Sequence, residues 1–144
     1  MTYDLESMIE QHALSSMEDP FSKEEIDDII KHMPVDKSPG PDGFNGLFMN
    51  FFWYLIKEQF YSLCSSFYNR TLDLSSVNTA YIALIAKVHC PVKPAYYRPI
   101  SLISMAMKVI TKILANRLQK VIIPLLHQNQ YGFIKSRTIQ DCIA

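Results

Sequence analysis

Glycine is scarce in this chain, with four in 144 residues, and no G-x-G-x-x-G, P-loop or H-E-x-x-H spacing occurs. That leaves the common nucleotide-cradling and zinc-protease signatures without a foothold. Cysteine is scarcer still. Cys64, Cys90 and Cys142 are odd in number and far apart, which argues against a disulfide framework and for a reduced, intracellular setting, in nucleus or cytoplasm. His89 and Cys90 are adjacent, but no second ligand pair stands at zinc-site spacing. No run approaches the roughly 20 apolar residues that a membrane-spanning helix needs. The N-terminus, MTYDLESMIEQ, is acidic, unlike a secretory signal or an Arg-rich transit peptide.

What is present is an ordinary globular composition, 49% apolar and 19% charged, in a length typical of one domain. The formal net charge of zero hides a division along the chain. Residues 1–30 hold nine acids against Lys23, a net of −8; residues 31–86 balance at four of each sign; residues 87–144 hold nine bases against Asp141, a net of +8. A basic third of this kind offers a face to a polyanion, and the competing reading is mutual neutralisation of the two ends in the fold.

Local patterns place the elements. Residues 4–17 form an acidic amphipathic pattern with Leu5, Met8, Ile9 and His12 on one side, and 1–20 reads as a separate acidic N-terminal segment. Ser22 and Glu25 make a capping box, Phe21 and Ile26 a hydrophobic staple, and Ile26, Ile29, Ile30 and Met33 a buried stripe that Pro34 stops. SPGPDG (38–43) then breaks regular structure, because proline restricts its own φ and its predecessor while glycine admits left-handed turns. Phe44 to Tyr68 keeps helical apolar spacing and is rich in aromatics; its length predicts two helices with a break near Trp53–Ile56. TAYIALIAKV (79–88) and YRPISLI (97–103) read as two strands of a long hairpin, with Pro99 marking an edge or a bulge. A helix over about 104–123 puts Ile110, Ile113, Leu114, Leu118 and Val121 on one face and Lys108 and Lys112 on another, and Pro124 ends or kinks it. Thr138 and Asp141 form a last capping box, and the chain stops one turn into that helix, as a truncated domain would. The expected class is α+β: a mostly helical fragment with one antiparallel hairpin.

Six features stand in one order: KSPGPDGF (37–44), a Trp-containing helix, LIAK (84–87), YRPISL (97–102), a Lys-rich helix ending in LANRL (114–118), and Q-x-x-F-x-x-x-R-x-I-x-D-x-I (130–143). The ordered set resembles the reverse transcriptase of non-LTR (LINE-type) retrotransposons, in its fingers region and the start of its palm, over residues 20 to 144. The resemblance implies an RNA-directed DNA polymerase working on an RNA template and a DNA primer, consuming dNTPs with Mg²⁺ in the complete enzyme. It implies nucleotide binding by Lys87 and Arg98, on the hairpin that folds over the incoming nucleotide. It also implies template contacts by Gln130 and Arg137, and the basic helix adds Lys108 and Lys112. The residue types suit the task, since Arg98 offers a planar fork to two phosphate oxygens and Lys87 a compact charge. By residue type alone, Arg137 could instead pair with Asp141, and Gln130 could be an ordinary turn residue.

Three departures bear on activity. Ala86 stands where the family usually has proline, and Ser136 where it usually has glycine. The family's metal-binding carboxylates follow the segment at which this chain ends, and after Asp73 the only acid is Asp141. The expectation is therefore that residues 21–144 form a partial reverse transcriptase domain with no catalytic residue, metal or cofactor of its own. It would lack the remaining palm and thumb and be inactive alone. The alternatives are a non-catalytic nucleic-acid-binding module or a non-functional remnant. SPGPDG, whose one charge is Asp42, would shape the fingers and take no part in catalysis.

Overall fold

The computed structural model describes residues 17–122 together with Leu126 and Gln130. The helix expected over 4–17 and the turn and capping box expected after Gln130 lie almost wholly outside the described residues. The described chain runs α1 (Lys23–Lys31), α2 (Gly46–Tyr68), β1 (Ala80–Ala86), β2 (Tyr97–Ile103) and α3 (Met105–Ile122), with 3₁₀ turns at Leu74–Ser76 and Pro94–Tyr96. This is the expected α+β arrangement, mostly helical with a single two-stranded antiparallel sheet. It divides into two compact units, residues 21–112 and the described parts of 1–20 with 113–144.

In the larger unit, α1 starts where its cap predicts. The Ser22 hydroxyl accepts the Glu25 N–H at 3.1 Å, and Glu24 and Glu25 meet the positive end of the helix dipole. Ile26, Ile29 and Ile30 are buried, while Met33 lies beyond the helix and is half-buried. Burying each such side chain stabilises the fold by roughly 1.5–3 kcal/mol.

The second helix departs from expectation. Gly46–Tyr68 is one unbroken helix of 23 residues, about 34 Å long at 1.5 Å per residue. Neither proline nor glycine occurs after Gly46 to interrupt it, and the Asn45 side chain caps it by accepting the Phe48 N–H at 2.9 Å. A lateral tie spans the expected break. Trp53 Nε1 and the Tyr61 hydroxyl, two turns apart, both donate to Asp27 Oδ1 on α1, at 2.8 and 2.6 Å. Continuous helical geometry is what brings those two donors to one oxygen. The Trp53 ring also meets Phe60 and Tyr61 edge-on at 5.6 and 5.9 Å.

The hairpin follows the sequence closely. Its register runs from Ala80 opposite Ile103 to Ala86 opposite Tyr97 without a bulge. Pro99 faces Leu84; in a two-stranded sheet each strand is an edge, so its missing N–H is tolerated. Both strands are largely exposed on both faces.

Helix α3 buries Met105, Ala106, Val109, Ile110, Ile113 and Val121. Leu114 and Leu118, expected on the buried side, are exposed at 41% and 44%. Ile110, Ile113 and Val121 are buried as expected, but the stripe extends through Met105, Ala106 and Val109 on the side away from Leu114 and Leu118. In the smaller unit the Arg117 guanidinium donates to the carbonyls of Met17, Asp19 and Pro20.

Partial burial, with the hydrogen bond to Asp27 and the charge of that carboxylate, pushes the Tyr61 phenol from 10.0 up to about 12. A raised folded-state value favours the neutral donor. This stabilisation is therefore complete below about pH 10 and is lost as pH rises through 12. Alkaline titration of tyrosinate absorbance should show one phenol ionising after the others, absent from Tyr61→Phe; identical curves for the two proteins would refute the assignment.

Candidate nucleotide and template interface

The register sorts the hairpin side chains by face. Residues directly opposite share a face, as do residues two apart on one strand. Ala83 and Ile100, Ile85 and Arg98, and Lys87 with Tyr96 therefore lie on one side; Ile82 and Ser101, and Leu84 and Pro99, lie on the other. Lys87 is one residue past β1, but its N–H still bonds the Tyr96 carbonyl at 2.7 Å, so the pairing continues to it. Lys87 and Arg98 are thus diagonal neighbours on one exposed face.

Their environments differ. Lys87 Nζ donates to the Ala95 carbonyl at 2.9 Å, in the connection between the strands. An ammonium has three donors, so one bond to a carbonyl leaves two for a phosphate. Arg98 stands exposed near the start of β2, as its second residue. Tyr96, 38% exposed, is the residue opposite Lys87. The tip holds Lys93 and the His89–Cys90 pair, with Cys90 in a left-handed conformation (φ 52°) and its Sγ 3.1 Å from His89 Nδ1.

The basic helix is only partly available. Lys108 is half-buried and its Nζ donates to the Ser38 carbonyl at 2.8 Å, so it ties SPGPDG down. Lys112 is exposed. Gln130 is exposed, and Arg137 lies outside the described residues. The register thus puts Lys87 and Arg98 on one face of the hairpin, and Lys108 has a scaffold contact.

Asp42 has a role that the sequence did not reveal. Its Oδ1 accepts the Phe44 N–H at 3.3 Å and its Oδ2 accepts the Met105 N–H, the first of α3. Its partner at 105 is 63 positions away, and no local pattern links them; the only sequence signal was an acid inside a turn-forming stretch. Among the described residues no three His, Cys, Asp or Glu side chains converge as a metal site. The described carboxylates therefore do not fit a pair of Mg²⁺ ions. Nor, among those residues, is any helix long and apolar enough to cross a membrane.

Residues 85–144 match the family described as reverse transcriptase (RNA-dependent DNA polymerase), a segment that contains all six candidate residues. Over 134 residues the chain is 27% identical to the transposon TX1 uncharacterized 149 kDa protein of Xenopus laevis, covering 93% of this chain and 10% of that one. It is 31% identical over 121 residues to the probable RNA-directed DNA polymerase from transposon BS of Drosophila melanogaster, covering 79% and 13%. It is 27% identical over 121 residues to the retrovirus-related Pol polyprotein from type-1 retrotransposable element R1 of Bradysia coprophila, covering 82% and 12%. With these motifs and matches, the chain belongs to the reverse transcriptase family. Within it the chain groups with proteins of non-LTR retrotransposons, and it spans about a tenth of the length of the curated relatives it matches.

Since Lys87 and Arg98 are exposed and hold no part of the core, alanine at either position should change unfolding free energy by less than about 0.5 kcal/mol. Chemical denaturation checks this, and a loss several times larger would make them scaffold.

Proposed function

We propose that this chain supplies the nucleotide- and template-gripping part of an RNA-directed DNA polymerase, with residues 21–144 corresponding to the fingers and the start of the palm. The observation that carries the reading is the placement of Lys87 and Arg98 on one exposed face of a hairpin within the matched segment. A triphosphate is a multiply charged anion, and a guanidinium fork beside an ammonium meets it with charge-assisted hydrogen bonds. Lys112, with Lys108, Gln130 and Arg137, would contact the RNA template, and the partners would be that template, a DNA primer and a dNTP. Contacts of this kind go to phosphates and carry no sequence preference.

Phosphoryl transfer by polymerases uses two metal ions held by carboxylates. The reading assigns binding, and not primer extension, to this chain on its own. The same placement of Lys87 and Arg98 on an exposed face fits a second reading, a purely non-catalytic nucleic-acid-binding module.

Two measurements test the proposal. Fluorescence anisotropy with a single-stranded RNA should show affinity falling steeply with salt, and Lys112→Ala should flatten the log–log slope by about 0.7. Photocrosslinking of azido-dATP should label the hairpin, and Arg98→Ala should weaken it at least about tenfold, the loss of one charge-assisted bond. RNA binding with no nucleotide labelling would favour the bare binding module. Templated incorporation by the 144-residue chain would overturn the assignment of chemistry to other segments.

A further inference from the structure

Among the described residues, polar ties hold the hairpin at its base. Both of its faces are largely exposed, so little side-chain packing sets its direction, and three polar ties gather where β2 passes into α3. The Ser104 hydroxyl donates to the Val77 carbonyl at 2.8 Å, joining the chain before β1 to the chain after β2, and it accepts the Met107 N–H at 3.4 Å. The Asp42 carboxylate accepts the Met105 N–H and, with its other oxygen, the Phe44 N–H. Lys108 Nζ reaches back to the Ser38 carbonyl.

Shape reinforces these ties. Gly40 is buried, and its backbone lies flat against the junction. A Cβ there would stand 2.7 Å from Ser104 N and overlap the Ile103 carbonyl. A turn closed by the Gly43 N–H on the Gly40 carbonyl at 3.0 Å aims the Asp42 side chain, with Gly43 taking the left-handed conformation (φ 74°) that ends it.

We propose that the 38–43 loop is the positioning element of the hairpin, and that Asp42 is its principal positioning residue. By capping the first turn of α3 from a distant segment, Asp42 sets the angle at which β2 leaves the helix. It thereby sets where Lys87 and Arg98 stand relative to Lys112. Its effect on nucleotide binding rests on the reading of the hairpin given above; its effect on geometry does not.

The test uses the full chain with Cys142→Ser, and spin labels at Cys90 on the exposed tip and at Thr111→Cys on the exposed side of α3. Pulsed dipolar spectroscopy should give a narrow tip-to-helix distance distribution for the parent. Asp42→Ala and Gly40→Ala should broaden and shift it. Asp42→Asn, which can keep one acceptor oxygen for Met105 but loses the one for Phe44, should restore the parental distribution in part; a merely destabilising substitution would show no such rescue. Where either variant does not fold, Lys108→Met removes the third tie and carries the same measurement. Unchanged distributions in the folded variants would overturn the proposal. With azido-dATP, Asp42→Ala should lower labelling and Asp42→Asn should lower it less. Distances that broaden while neither Asp42→Ala nor Arg98→Ala alters labelling would uphold the positioning role and refute the nucleotide reading. Unchanged distances with labelling lost in Arg98→Ala would do the reverse.

Discussion

The carboxylate of Asp42 bridges two backbone N–H groups that belong to different parts of the chain. The rest of the larger unit depends on that bridge. The first N–H groups of a helix have no partner within it, and leaving one unmet in a partly buried position costs about 1–3 kcal/mol. α3 meets the need from two sides, its own Ser104 hydroxyl taking Met107 and the remote Asp42 taking Met105. The second arrangement makes the stability of α3 conditional on the 38–43 loop, and so links the chain before α2 to the chain after the hairpin. Lys108 returns the link in the opposite direction.

A similar economy holds α1 to α2. One oxygen of Asp27 receives both an indole and a phenol, so a single exposed acid orders the aromatic side of a long helix. Elsewhere that helix remains open to solvent, with Leu47, Phe51 and Tyr54 at 60–70% exposure. The described core is correspondingly small, concentrated on α1, Met49, Cys64 and the Met105–Ile113 stripe. Burial raises the Cys64 thiol to about 11, which keeps it a neutral packing group.

The local elements were legible because their signals are local. Ser22 announced α1 through a bond three residues long, and YRPISLI marked β2 over the seven residues that form it. Where the reading failed, the missing information was nonlocal. The break expected near Trp53–Ile56 does not occur: no proline or glycine interrupts the helix, and two donors on either side of the expected break share an acceptor on α1. The buried stripe of α3 was placed in part, at Ile110, Ile113 and Val121 but not at Leu114 and Leu118, because periodicity fixes the spacing of a stripe better than its rotation. Of the candidate site, the shared face of Lys87 and Arg98 followed once the register was known, whereas the use of Lys108 on Ser38 had no signature within reach of either residue.

By itself the sequence determined the class of protein, the order of its elements, the hairpin and the basic character of the segment that follows Ala86. All of these rest on residue type and on spacings of a few positions. Only the tertiary structure decided what SPGPDG does. Its turn could be read directly, but the partner of Asp42 is 63 residues away. A bond between such distant groups exists only after the chain has folded them together.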